Sequence, residues 1–511
     1  MRPPRRISSL LISLLLISGL LAGCTPTTPT TTAGSTQAST TTPATQPPAT
    51  TAPATQPPAT QPPATSAQIK TFDVVVVGAG AAGLAAAIEA KAAGASVALL
   101  EKQSMTGGST ILSGGIVYGT GSKIHQKAGV KDSVDDLVDY WSERAQGKND
   151  KEFLKFVAEN SGGTIDWLVE QGVQLGEPYP TGTSPIARGV STPNRGAGII
   201  QPLEAKAKSS GVELFLDTPA TDLIQTDGKI TGVKAKTKTG QELQFNAKAV
   251  VLTTGGFDHN PALIKEYASR AEGDFSFASA GNTGDGLTMA KKAGADVIGN
   301  GSVIGFRRVI GEPAYVTEIC LLMWMPYLYV NKDGKRFVNE TIDYPIFYEA
   351  LIQQPDQISY LIFDGNTYVE TLDKAVEKGS AFKADTLEDL AKAAGIDPAG
   401  LKTTVEAYNK MLASGEDKEF GKVVKDMKPI DKPAYYALKV EPTILGTMSG
   451  IRTNLDCQVL TADGKPIPGF YAAGEVANGS FYNLEYPASG TSIQMSLTFG
   501  RVAGMIAAKN K

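Results

Sequence analysis

Apolar residues are spread unevenly along this chain, and their spacing marks off segments that fold differently. A compact apolar run, Leu10 to Leu21, is followed from Thr25 to about Ser66 by almost nothing but Thr, Pro, Ala and Gln. At Phe72 the pattern changes abruptly. Asp73-Val74-Val75-Val76-Val77 is a β-branched run without alternation, which predicts a strand buried on both faces, as in a parallel sheet. Leu84 to Ala93 is alanine-rich and predicts a helix, and Ala95 to Leu100 predicts a second strand. Beyond these lies a β-rich stretch with turn signals at Asp227-Gly228 and Thr239-Gly240, a helical segment at Leu387 to Ala394 and a final helix. The layout predicts an α/β protein.

Residues 1–24 read as an export signal. Arg2, Arg5 and Arg6 precede the apolar run, and the small residues Ala22 and Gly23 precede a cysteine. The run is too short for a permanent membrane helix. Leu21-Ala22-Gly23-Cys24 resembles the bacterial lipobox, which implies lipidation of Cys24 and an extracytoplasmic protein anchored by that lipid to the cell membrane. Residues 25–68 form the expected linker. Thr45-Gln46-Pro47-Pro48-Ala49-Thr50 recurs from Thr55 and again from Thr60, and such a composition buries no core, so it predicts a disordered, semi-rigid stalk.

Between the first predicted strand and helix lies Gly78-Ala79-Gly80-Ala81-Ala82-Gly83. In that setting Gly78 permits a tight turn, Gly80 lets backbone approach a pyrophosphate, and Gly83 lets helix and strand pack closely. The phosphates then sit at the helix N-terminus beside Ala81 and Ala82. Glu101, at the end of the second strand, stands where a carboxylate accepts the ribose hydroxyls of an adenine dinucleotide. The small-residue stretch Gly107-Gly108-Ser109-Thr110, then Ser113-Gly114-Gly115, lets backbone lie against a flat ring system, which favours FAD over NAD.

From about Thr71 to Arg501 the chain resembles the FAD-dependent family that includes fumarate reductases, urocanate reductases and 3-ketosteroid dehydrogenases. The resemblance rests on the glycine turn and on three later marks: Val250-Val251-Leu252-Thr253-Thr254-Gly255-Gly256-Phe257, Gly281-Asn282-Thr283-Gly284-Asp285-Gly286, and Gly469-Phe470-Tyr471-Ala472-Ala473-Gly474-Glu475. It implies a Rossmann-like FAD-binding domain in two parts, residues 69–300 and 436–511, with an α+β cap (substrate) domain inserted at residues 301–435. It carries cofactor contacts to Lys102, Ala220, Thr254, Gly255, Gly256 and Asp285. Towards the C-terminus it carries them to Gly474, Glu475, Ser492 and Ile493, with Glu475 near the ribityl and phosphate groups.

The implied chemistry is hydride transfer to or from a carbon–carbon bond beside a carbonyl. It needs a hydride carrier, a proton donor and a group that polarises the carbonyl. Fumarate reductases clamp their dicarboxylate with histidines and arginines and deliver the proton from an arginine. Arg336-Phe337-Val338-Asn339-Glu340 matches that branch, but Tyr344 stands where the arginine is expected. Gly446-Thr447-Met448-Ser449-Gly450 lacks the histidine of its motif, and Tyr486-Pro487 replaces an Asn-Arg pair. A buried carboxylate deprived of its cation costs on the order of 3–5 kcal/mol, so two lost clamps argue against fumarate. Tyr486-Pro487-Ala488-Ser489-Gly490 is closer to the ketosteroid dehydrogenase branch. That likeness implies Tyr344 as the acid or base and Tyr486 with the Gly490 N–H as the carbonyl site, although Ala488 and Ser489 depart from the Tyr-Pro-Gly-Pro-Gly motif. A phenol with a reference pKa near 10 costs about 4 kcal/mol to ionise at pH 7, so a tyrosine acid favours reduction. Arg307 and Arg308 are further candidates for holding one carboxylate.

Composition narrows the partners. The chain carries 48 basic and 52 acidic side chains, which leaves no electrostatic footprint for nucleic acid. Three cysteines and two histidines cannot form a structural zinc cluster, and no Cys-x-x-Cys-His run attaches a haem. The expected partners are a small unsaturated carbonyl compound and a separate electron donor or acceptor. Two alternatives compete: a fumarate- or urocanate-type reductase with a rearranged carboxylate clamp, and a flavin-binding lipoprotein without substrate chemistry of its own.

Overall fold

The valine run lies inside an eight-stranded sheet in the computed structural model, which describes residues 67–313, 317–367 and 369–509. The expected signal, Cys24 and the stalk up to residue 66 lie outside the described residues. Strand Gln68–Val77 begins at the last residue assigned to the stalk and pairs in parallel on both sides, with Val74 opposite Val97 and Ala249. Val74, Val75 and Val76 are fully buried, as an unalternating run requires. The hairpin predicted at Asp227-Gly228 turns through two residues with positive φ, 49° and 78°, the conformation that matches the twist of two-residue hairpins.

The C-terminal part of the chain completes this sheet. Strand Pro466–Ala472 lies parallel to Glu242–Leu252, with Phe470 opposite Val250. Helix Thr491–Ala508 packs against Ala81–Ala92, the helix of the glycine turn. The approach is backbone to backbone: a Cβ on Gly500 would lie 2.4 Å from the Ala82 carbonyl oxygen, and one on Gly504 would lie 2.2 Å from that of Ala86. The end of the sequence is thereby locked to the start of the folded part.

The cap is built on a second, six-stranded sheet. Helices Leu387–Ala394 and Pro398–Ser414 cover one face of it, burying Leu390, Leu401 and Val405 against Leu328, Val330 and Ile362. The helix predicted over Leu387 to Ala394 has those bounds, set by the Thr386 side chain accepting the Asp389 N–H and by Gly395 in the left-handed conformation. The cap limits differ from the expected 301–435. Strand Tyr435–Thr447 lies inside the cap sheet, between Val303–Val309 and Ser359–Asp364, and Phe275–Ser276 joins it from before residue 301. Membership of a sheet is decided by partners far away in sequence, which local composition does not report.

A buried ionic network fixes the segment leading to Tyr344. Arg336 grips both carboxylate oxygens of Glu340 at 2.7 and 2.8 Å and reaches Asp417 at 2.7 Å, and Lys422 Nζ lies 3.0 Å from Glu340. Every member of the network is bonded, as charges in the interior must be.

Candidate active site

One pocket runs from the glycine turn to the cap, and most of the expected site residues line it. They include Gly78, Gly80, Ala81, Ala82, Glu101 and Lys102, then Gly108, Ser109, Thr110, Ser113, Gly114 and Gly115. Ala220, Thr254, Gly255, Asp285, Glu475, Ser492 and Ile493 complete the same wall, and Tyr344, Tyr486 and Gly490 stand in it as well.

The glycines fall into two groups. At Gly78, with φ of 101°, a Cβ would lie 2.4 Å from the Thr253 carbonyl oxygen, and at Gly83 one would lie 1.8 Å from that of Gly78. These positions are closed by the protein itself. A Cβ on Gly80, Gly108 or Gly114 would meet nothing nearer than 3.9, 3.6 and 3.7 Å. Bare backbone here faces open space, the surface a dinucleotide needs. Gly83, Gly107, Gly256 and Gly474 are not on the pocket wall and act from behind it. The Gly107 N–H bonds the Ala79 carbonyl at 2.8 Å, and a Cβ on Gly256 would strike Glu475 and Thr447. A Cβ on Gly474 would come within 2.8 Å of the Ala82 Cβ.

Glu101 accepts the N–H groups of Ala79 and Gln103, each at 2.8 Å, one on each carboxylate oxygen. Its orientation is thus fixed while lone pairs remain for ribose hydroxyls. Lys102 Nζ is held by Asp285 at 2.7 Å and Thr283 at 2.6 Å. At the centre of the wall the Asn282 amide donates to Asp258 at 2.9 Å and to Glu475 at 3.3 Å, and Glu475 also accepts the Thr447 N–H at 2.8 Å. Burial, reinforced by the neighbouring Asp258, holds the Glu475 carboxyl well above the usual carboxylate range. The pair therefore retains a proton where exposed acids have lost theirs.

A consequence for stability follows. A carboxyl whose pKa rises on folding keeps its proton after the unfolded chain has released it. Its contribution is neutral at low pH and grows unfavourable as pH rises from the unfolded value towards the folded one. The melting temperature of the flavin-loaded protein should therefore fall between about pH 5 and pH 8. Glu475→Gln should flatten that fall, and parallel melting curves for the two proteins would refute the raised carboxyl.

At the cap end the wall is made of rings and hydroxyls. Phe306 stands edge-on to Tyr344, with centroids 5.2 Å apart at 72°, and packs on Trp324 at 5.5 Å. Tyr344, at the first turn of helix Tyr344–Leu351, and Tyr486, from the connection before the C-terminal helix, have ring centroids 6.3 Å apart. The Ser489 hydroxyl donates to the Tyr344 oxygen at 3.4 Å. The Tyr486 oxygen accepts the Ser492 N–H at 2.9 Å and faces the N–H groups of Gly490 and Thr491, at the start of an 18-residue helix. Burial raises its pKa, so it stands as a neutral phenol whose proton is free to be donated.

The two arginine candidates lie off this wall. Phe306, on strand Val303–Val309, faces the pocket and alternation sends Arg307 to the opposite face. There its guanidinium lies 4.2 Å from the Phe347 ring centre and donates to the Met323 carbonyl at 2.8 Å. Arg308 is paired with Glu441 on the adjacent strand at 2.5 Å. Tyr118 is a core residue between Tyr140 and Trp141. His125 bonds Ser122 and the Arg188 carbonyl, and Tyr327 and Tyr329 are buried away from the pocket. Trp324, by contrast, lines it.

Residues 73–493 match the family model for the FAD binding domain. The chain is 34% identical to the urocanate reductase of Eggerthella lenta over 85% of this chain and 74% of that protein. It is 28% identical to the 3-oxosteroid 1-dehydrogenase of Mycolicibacterium smegmatis over 85% and 96% of the two chains. Among solved structures, the open conformation of a flavocytochrome c3 fumarate reductase superposes with a TM-score of 0.72, at 33% identity over 86% of this chain and 78% of that one. The chain belongs to the FAD binding domain family. It is an FAD-dependent oxidoreductase.

Proposed function

We propose that the protein reduces an uncharged carbon–carbon double bond conjugated to a carbonyl, with Tyr344 giving the proton and Tyr486 binding the carbonyl oxygen. One observation carries the reading. Two phenols from different parts of the chain meet at the end of the FAD pocket, on a wall of Phe306, Trp324 and Ile304. Among the described lining residues the only cation is Lys102, and it is engaged by Asp285 and Thr283.

Bound FAD supplies the hydride that one alkene carbon takes up. Tyr486 donates its proton in a hydrogen bond to the carbonyl oxygen. The N-terminus of helix Thr491–Ala508 behind it favours the negative charge that oxygen gains as the double bond is attacked. Tyr344 delivers a proton to the other alkene carbon and regains one from water, with Ser489 holding its oxygen in place. One hydride and one proton added across C=C balance the reduction. The related proteins support this class, since urocanate reduction and 3-oxosteroid dehydrogenation are both redox changes at a carbon–carbon bond.

The test is turnover with a reduced viologen donor against a panel of neutral enones, enals, urocanate and fumarate. Neutral enones should exceed fumarate in kcat/KM by at least about a hundredfold, since unpaired carboxylates cost several kcal/mol at a wall whose one described cation, Lys102, is already engaged. Fumarate turning over as well as the best enone would contradict the proposal. We further propose that the enzyme works outside the cytoplasm, tethered through lipid on Cys24. The supports are the apolar run ending at Ala22-Gly23-Cys24 and the Thr/Pro/Ala-rich segment after it. Metabolic labelling with a palmitate analogue, lost in Cys24→Ser, tests this.

A further inference from the structure

The residue before each phenol is an acid, Asp343 before Tyr344 and Glu485 before Tyr486. A single guanidinium lies between the two acids. Arg144, the last residue of helix Val134–Arg144, places Nη1 3.2 Å from Glu485 Oε2 and Nη2 4.0 Å from Asp343 Oδ2. The arginine side chain is 10% exposed and that of Asp343 is 9% exposed. Asp343 Oδ1 already accepts the Tyr344 N–H at 3.1 Å, so the acid is tied directly to the first turn that carries the phenol. Arg144 Nε and Nη2 and Asp343 Oδ2 are buried without a hydrogen bond. Buried polar atoms are nearly always bonded, and here Nη2 faces Oδ2 across a gap slightly too wide for a bond.

We infer that Arg144 is a positioning residue for the reaction, a guanidinium strut that sets Tyr344 against Tyr486 by holding the acid beside each, and that closes onto Asp343 as the pocket fills. The inference rests on the assignment of the two phenols above. Misplacing a reacting group by an ångström can cost about a hundredfold in rate, so a strut acting through two acids has leverage without touching substrate. The guanidinium reaches an acid on either side, one of them tied to the first turn of the helix that carries a phenol, which filling space alone does not require.

The strut requires Asp343 to be charged. Burial pushes its carboxyl up to about 6, with Arg144, the Tyr344 N–H and Arg307 opposing that rise and Glu485 adding to it; the Tyr486 phenol also faces this group. Asp343 is ionised above that value and neutral below it, so the grip is present at high pH and lost as pH falls through about 6.

The experiment is the pH profile of kcat for the flavin-loaded full chain with a neutral enone, in wild type, Arg144→Met, Arg144→Lys and Asp343→Asn. The oxidised proteins are also titrated with the enone by flavin absorbance. In wild type kcat should fall on an acid limb near pH 6. Arg144→Met and Asp343→Asn should lie about 10- to 100-fold lower above that pH and show no limb, so that all three meet at low pH. The double variant should be no slower than either single one, because both remove the same contact. Arg144→Lys should recover part of the rate, and the dissociation constant for the enone should change by less than about threefold throughout. A limb of unchanged position and depth in Arg144→Met, or losses that multiply in the double variant, would overturn the inference. Should Arg144→Met not fold, Asp343→Asn and Glu485→Gln carry the same test from the other ends of the strut. Tyr344→Phe separates the levels: if it is impaired while Arg144→Met is not, the strut fails and the phenol assignment stands.

Discussion

Tyr344→Phe should keep its flavin and its fold and lose turnover by about 100- to 10,000-fold, the range a general acid contributes. The substitution removes one oxygen and leaves the ring between Phe306 and Trp324, where edge-on packing holds it. At that oxygen the Ser489 hydroxyl lies 3.4 Å away, and water in the pocket can satisfy it once the phenol is gone. The measurement is kcat at matched flavin content, with the dissociation constant of the enone as control. Because the proton is transferred only during the reaction, kcat and kcat/KM should fall together. Full turnover would remove Tyr344 from the chemistry.

The second large effect concerns the cradle. Gly83→Ala should yield protein without bound flavin and with little soluble material. Its Cβ would lie 1.8 Å from the Gly78 carbonyl oxygen, and that atom belongs to the turn itself, so no side chain can move aside to relieve the contact. Overpacking a core costs about 1–3 kcal/mol where side chains give way, and more where backbone blocks the new atom. The nearby Gly80→Ala is the informative control. A Cβ there meets nothing closer than 3.9 Å within the protein, so the chain should fold with its melting temperature nearly unchanged while flavin affinity falls. Equal flavin content in wild type and Gly80→Ala would show that the ligand does not lie against that backbone.

These two cases also mark what could be read from the sequence. The strand, glycine turn, helix, second strand and Glu101 lie within some thirty residues, and each element's signal is carried by its own side chains. The fold of the cofactor half was legible for that reason. The helix at Leu387 to Ala394 was legible because Thr386 and Gly395 mark its ends. The end of the cap was not. Tyr435–Thr447 pairs with strands more than fifty residues away, and nothing in its own residues names those partners.

The substrate end was legible in part. Tyr344 and Tyr486 stand at motif positions, but Ser489 enters the pattern only as a departure from the family motif, although it lines the wall. Arg307 and Arg308 drew attention because arginine suits a carboxylate. The alternation of strand Val303–Val309 could have warned that neighbours Phe306 and Arg307 face opposite ways. Asn282 sits inside a motif that gives it no role of its own; its amide bridges the two buried acids. Arg144 carried no signal at all, since its meaning depends on Asp343 and Glu485, which only folding brings to it.

The central claim is that reducing equivalents held on this protein pass to a carbon–carbon double bond beside a carbonyl. The direct measurement is a single turnover: the purified protein is reduced under anaerobic conditions, freed of reductant and mixed with a neutral enone. The account predicts that the absorbance of oxidised flavin returns at once, with one saturated ketone formed per flavin, and that fumarate gives no comparable return. Reduced protein that stays reduced in the presence of every neutral enone, or is reoxidised by fumarate alone, would contradict it.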